Sequence, residues 1–365
     1  MKILDSHMTR RLLFALSATI VALILLFIVI DLLTHRRAII LEHDVSSGTV
    51  ARYYLCLIPR LLLEYHIAAL SMLIAGLFVL GSAAQHNEFT ALLSCGVSLR
   101  RIARVPFLMA CGLSLLLLIM GETIAPASAR AALEIERQYF GKHSGEAFAD
   151  RPGISWANLD GGWTFHTLKF NRVALTGEGV LILSEREDQP EMIRARRIYW
   201  EPLDESWILE GVIWAKFFPE QDMGAVIRKY GQVQAPLRET PEELFAPFED
   251  TSTRNAASLR KVLDNAAKKG LPLARLEVNY YGKFAKPFLP IVMICLAIPF
   301  ASRGNHGALS SGFAIGIALG LAYLLLLSVC QSLGFTGHLS PMMAAWLANF
   351  VFLIAGAALM ARTPT

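Results

Sequence analysis

Of the 365 residues, 54% are hydrophobic and 18% charged, and the mean hydropathy is +0.46; soluble domains carry about 25% charged residues. The net charge of +4 is small and scattered, with no basic stripe interleaved with aromatics, which argues against a nucleic-acid partner. The five cysteines (Cys56, Cys95, Cys111, Cys295, Cys330) make no CxxC or Cys/His ligand spacing, so no metal and no cofactor is expected.

Apolar blocks crowd the two ends of the chain, and the middle has the composition of an ordinary soluble domain. A membrane-spanning helix needs about 20 mostly apolar residues. Six stretches qualify: 12–33, 58–81, 104–125, 283–301, 308–332 and 340–361. The first is too long for the apolar core of a signal peptide, and Asp31-Leu-Leu-Thr-His-Arg-Arg37 is no small-residue cleavage site, so it reads as a retained helix. The fourth holds Pro287, Pro290 and Pro299 and reads either as a span whose neighbours satisfy the freed backbone or as a kinked, partly re-entrant segment.

Between the second and third spans, Asn87 can cap a helix whose first acid is Glu88. Phe89, Leu92 and Leu93 then share one face, and Gly96 stops it. Ser98 can cap the next helix, which opens with Arg100, Arg101 and Arg104. A short amphipathic helix with an exposed acid suits a groove on a soluble partner. It equally suits an interfacial position on lipid, with Glu88 complementing the helix dipole.

With the N-terminus inside, Lys2, Arg10, Arg11, Arg100, Arg101, Arg104, Arg303 and Arg362 face the cytoplasm, while Arg36, Arg37 and Arg52 lie outside. Three spans then place residues 126–282 beyond the membrane. That segment is strand-like at 162–170, 180–183, 193–200 and 207–218, with Gly, Pro, Asp and Glu between, a pattern of sandwiches and jelly rolls. Trp156, Trp163, Phe165, Trp207 and Trp214 fall at strand spacing and read as core, although inward faces that carry acyl chains would show the same pattern. Residues 258–269 form an amphipathic helix with Leu259, Val262, Leu263 and Ala266 on one face and Gly270 as its stop.

Asp31, Glu64 and His66 are ionisable groups in or beside apolar helices, where such groups mark cavities or interfaces. Arg36 and Arg37, with His35 beside them, follow the first span; guanidinium forks suit phosphate oxygens, and ordinary snorkelling would place them there too. Glu122 and Pro126 read as the end of the third helix. No G-x-x-x-x-G-K-[ST], H-E-x-x-H or G-x-S-x-G occurs, so nothing advertises catalysis and ATP is not expected to be held in a P-loop of this chain.

Residues 85–98 (QHNEFTALLSCGVS) resemble the coupling segment of the LptF/LptG permeases, the membrane subunits of the lipopolysaccharide-export ABC transporter. Gly121-Glu-Thr-Ile-Ala-Pro126, Leu4-Asp-Ser-His7 and the three-plus-domain-plus-three layout resemble the same family, with Leu4-Asp5 and Gly121-Glu122 leaning to the LptG side. The resemblance implies six transmembrane helices, with residues 1–125 holding three spans and a cytoplasmic coupling helix at 86–96. It implies a periplasmic β-jelly-roll-like domain at 126–282 and three more spans at 283–365 in the bacterial inner membrane. The implied partners are a second homologous permease, a cytoplasmic ABC ATPase dimer, periplasmic bridge proteins and, as a further candidate, a single-span protein. The implied cargo is lipopolysaccharide, handed to the bridge. Glu88, Phe89, Leu92, Leu93 and Gly96 would meet the ATPase, and Asp31, His35, Arg36 and Arg37 the lipid. The rivals are a membrane-embedded lipid-modifying enzyme built on Glu64 and His66, a mechanotransmission protein tied to an ABC ATPase, which would put its large domain after the first span, and a sensor or anchor, which needs no coupling helix.

Overall fold

The computed structural model describes residues 2–36, 45–140, 150–158, 163–171, 175–184, 190–202, 204–217, 225–237, 240–241, 251–268, 273–302 and 309–361. By packing the chain forms two units. One comprises Met1–Leu133, Thr251–Ala256 and Ala274–Thr365; the other comprises Glu134–Asp250 and Ala257–Leu273.

The first unit is helical. Its N-terminal part contains α1 (Lys2–Asp31, drawn out by a π-turn over Leu32–Arg36), α2 (Ser47–Leu63), α3 (Ile67–Gln85), α4 (Glu88–Ser94), α5 (Leu99–Glu122) and α6 (Ile124–Ile135). Its C-terminal part contains α8 (Ala274–Ala285), α9 (Leu289–Ser302), α10 (Leu309–Phe335) and α11 (Pro341–Ala361). Between them in the chain lies α7 (Ala256–Lys268), nearly all of which belongs to the second unit. Six stretches among the described residues are long and apolar enough to span: Asp5–Thr34, Ile67–Gln85, Arg101–Glu122, Ala274–Phe300, Gly316–Phe335 and Pro341–Met360.

The expected span at 58–81 is corrected. The apolar stretch is interrupted at Glu64–His66, where His66 adopts φ 58, so residues 58–63 end α2 and the span proper begins at Ile67. The proline-bearing fourth span is continuous but tightened. Lys286–Phe288 form a 3₁₀ turn in which the Leu289 N–H bonds back to Lys286. That shortened bond leaves the Ala285 carbonyl without its usual i+4 donor, and Asn349 Nδ2 of α11 supplies one at 3.1 Å. The Asn349 side-chain oxygen accepts in turn from the Tyr323 hydroxyl, and both residues are buried. A neighbouring helix thus satisfies the backbone that the proline frees.

Helix α3 sits at the centre, packed by α9, α1 and α10. Leu73, Leu77 and Leu80 of α3 join Val292, Met293 and Ile294 of α9 and Tyr323 and Leu327 of α10 in one core. Small residues permit the approach, as in membrane helix pairs generally. A methyl group built at Gly334 of α10 would lie 2.4 Å from Ala344 Cβ of α11 and 2.8 Å from a Val278 methyl of α8.

The second unit carries six antiparallel strands: β1 (Asp150–Asn158), β2 (Trp163–Asn171), β3 (Thr176–Ser184), β4 (Glu191–Glu201), β5 (Ser206–Phe217) and β6 (Ala225–Gln234), paired in that order. The β-rich inserted domain is therefore present, and its described strands form one consecutive meander rather than the Greek-key order of a jelly roll. Phe165, Phe170, Val180, Ile182, Ile193, Ile198, Trp207 and Leu209 are buried. Trp207 stacks edge-on to Phe170 and Trp200. Trp163 and Trp214 are only partly buried, and the side chain of Trp156 lies outside the described residues.

The apolar alternation slips by one residue along a line crossing four strands, at Leu168, Gly179, Arg196 and Gly211. Pairing brackets each step: Thr167–Val180 gives way to Lys169–Glu178, and Arg194–Ile213 to Arg197–Glu210. Gly179 (φ 65) and Gly211 (φ 66) take the left-handed backbone these bends require. In α7, Leu259, Val262 and Ala266 are buried and Leu263 partly so; Gly270 lies outside the described residues.

Candidate functional sites at the two ends of helix α3

Helix α3 has 19 residues and so spans about 28 Å, close to the hydrocarbon thickness of a bilayer. The chemically informative residues gather beyond its two ends.

Beyond its C-terminal end lies α4. Asn87 takes φ 58 and donates its N–H to the Ala84 carbonyl at 3.1 Å, so it closes α3 in a left-handed turn instead of adopting the extended N-cap conformation expected for it. Helix α4 opens directly on Glu88, whose charge complements the helix N-terminus. Gly96 ends it as expected: with φ 80 at Gly96, the Val97 N–H reaches the Leu92 carbonyl at 3.0 Å, a Schellman closure. Ser98 has the extended cap backbone but makes no side-chain cap bond. Leu92 packs partly against the helical core; the side chains of Phe89 and Leu93 lie outside the described residues.

Glu88 is engaged within its own chain. Arg11 Nη1 of α1 donates to its two carboxylate oxygens at 3.0 and 3.3 Å, and both side chains remain 42% exposed. Beside it, Arg101 Nη2 in the first turn of α5 donates to Asp5 Oδ2 of α1 at 2.7 Å. Neither pair was foreseen; the signal was opposite charge in the first turns of α1 and on either side of the Gly96 turn.

Beyond the other end of α3 the chain makes a small, open pocket lined by Arg60, Glu64, Glu122, Lys283, Lys286 and smaller neighbours. Lys286 donates to the Glu64 carboxylate, and Glu122 accepts the Ala256 N–H at 2.8 Å. Three cations thus face two carboxylates. Burial alone would raise the Glu64 carboxyl, but Lys286, with Lys283 and His66 behind it, outweighs that and holds it below the usual carboxylate range. Burial and then the Lys286 charge push the His66 imidazole down to about 4, so it is neutral at neutral pH.

The sequence reading singled out Glu64 and His66 here, took Glu122 as the end of the third helix, and missed Arg60, Lys283 and Lys286. The Tyr54 hydroxyl donates to Asp31 Oδ2 at 2.9 Å, tying α2 to α1. Arg37 and the side chains of His35 and Arg36 lie outside the described residues. No group of three metal-ligating side chains occurs among the described residues.

A comparison with family models matches residues 6–362 to the family described as "Lipopolysaccharide export system permease LptF/LptG". No curated protein matches the chain.

Proposed function

The chain belongs to the LptF/LptG family of lipopolysaccharide export permeases, and from that premise we propose that it couples a separate ATPase at α4 to movement of lipopolysaccharide at the far end of α3. Membership makes it a multi-pass protein of the bacterial inner membrane and one part of an export assembly. The finer reading assigns the α4 end to the cytoplasm and the β-rich unit to the periplasm.

Glu88 carries the coupling role: it is a half-exposed acid at the start of a seven-residue helix closed by Gly96. A partner arginine or lysine can meet the carboxylate, and Phe89, Leu92 and Leu93 supply an apolar face for a groove. This chain pairs with a second homologous permease, and ATP is consumed by the cytoplasmic ATPase dimer. The cargo passes on to periplasmic bridge proteins.

At the other end, the excess of Arg60, Lys283 and Lys286 over Glu64 and Glu122 favours the phosphates of an anionic lipid head group. Asp31, together with His35, Arg36 and Arg37 that follow it in sequence, makes further contacts to the lipid in this reading.

The test is purification of the detergent-solubilised chain with mass spectrometry of the proteins and lipids retained. Recovery of a sister permease, a soluble ATPase and lipopolysaccharide is expected, with Glu88→Lys losing the ATPase alone. A lone chain, or an ATPase retained by Glu88→Lys, would contradict the reading.

A further inference from the structure

Helix α1 is held unevenly. Leu12, Ala15 and Leu16 are buried in the helical core, whereas Val21, Leu25, Leu26, Val29, Ile30 and Leu33 are 51–60% exposed. Its buried apolar side chains thus lie in its first half, where the two ion pairs also lie, while its far end is held by the Tyr54–Asp31 hydrogen bond and the Phe27–Tyr65 ring contact. The pairs have opposite polarity: α1 offers an acid, Asp5, to Arg101 of α5 and a base, Arg11, to Glu88 of α4. The two elements flanking the Gly96 turn are thus each pinned to α1 by one side chain. Opposite polarity also fixes the register, because sliding α1 would bring like charges together.

A seven-residue helix has little stability of its own. What happens to α4 is passed to whatever holds it. Glu88 takes both contacts from one nitrogen of Arg11, and a carboxylate has further acceptor positions. It can therefore keep Arg11 while meeting a partner cation. Arg11–Glu88, 42% exposed on both sides, adds little to folding stability, so the fold does not explain it; Asp5–Arg101 is partly buried and ties the same turns of α1 to α5.

We infer that Asp5 and Arg11 are positioning residues that make the first turns of α1 part of the coupling element. Displacement of α4 and α5 by the ATPase is then carried directly into α1, the span with an extended unpacked apolar length. This rests on the reading of α4 as the ATPase contact.

The test uses the full complex, with sister permease and ATPase, in vesicles containing lipopolysaccharide; ATP hydrolysis and lipid extraction are measured separately. Asp5→Arg and Arg101→Asp assemble and hydrolyse ATP as the parent does, but move at least about five-fold less lipid per ATP, a typical coupling between sites. The swap Asp5→Arg/Arg101→Asp restores the ratio. Unchanged lipid per ATP in the single variants would overturn the inference, as would a swap that restores nothing. So would loss of assembly and hydrolysis together with extraction, which marks a purely structural pair. A parent chain that recruits no ATPase would instead sink the coupling reading, before any variant is compared.

Discussion

The ion pairs at the two ends of α3 use the same chemistry under different conditions. Arg11–Glu88 is half exposed and bridges elements close to the chain's own surface, whereas Lys286–Glu64 has side chains only 17% and 33% exposed and joins residues 222 apart in sequence. An exposed pair is screened, dispensable to the fold and free to exchange partners. A partly buried pair leans to the structural side, because removing either half leaves a poorly solvated charge. One end is thus built to be displaced and the other to persist.

The sharpest way to break this contrast is to remove Lys286. Lys286→Met should cost about 1–3 kcal/mol, because Glu64, only a third exposed, loses much of its compensation, read as a lower unfolding temperature in detergent. Glu64→Leu/Lys286→Met should regain most of it. A small loss in Lys286→Met would mean that the pair is as exchangeable as the exposed one.

Next comes Gly334→Ala, which sets a methyl against Ala344 Cβ, an atom with no rotamer to move aside. Overpacking of that kind costs about 1–3 kcal/mol, and thermal unfolding measures it. Asn349→Ala should cost about 1–2 kcal/mol by leaving the Ala285 carbonyl unsatisfied. Asn349→Gln should not recover it, since the longer side chain no longer fits that buried bond.

The smallest stability effect belongs to Arg11→Gln, expected within about 0.5 kcal/mol of the parent while altering the response to the ATPase. A large stability loss there would erase the distinction between the two ends.

Much of this was legible in sequence, for physical reasons. Spans announce themselves by apolar length, and five of the six stretches expected overlap the observed ones closely. Helix α4 was readable because Glu88 and Gly96 are punctuation that acts locally. The second span was misplaced because Glu64 and His66 read as ionisable groups within one apolar stretch, whereas the left-handed backbone at His66 makes them its boundary. Arg60, Lys283 and Lys286 escaped notice because only the folded helices bring together residues more than 220 positions apart. The line of bends from Leu168 to Gly211 was hidden similarly: each strand alternates well locally, and the slip emerges only when pairing aligns four of them.

The most direct test of the account is ATP-driven extraction of lipopolysaccharide from vesicles carrying the chain with its sister permease and ATPase. The parent should extract lipid only with ATP, and Glu88→Lys should extract none while keeping the parent's unfolding temperature. Extraction by Glu88→Lys at the parent's rate would contradict the assignment of α4 as the point where ATP hydrolysis enters this chain.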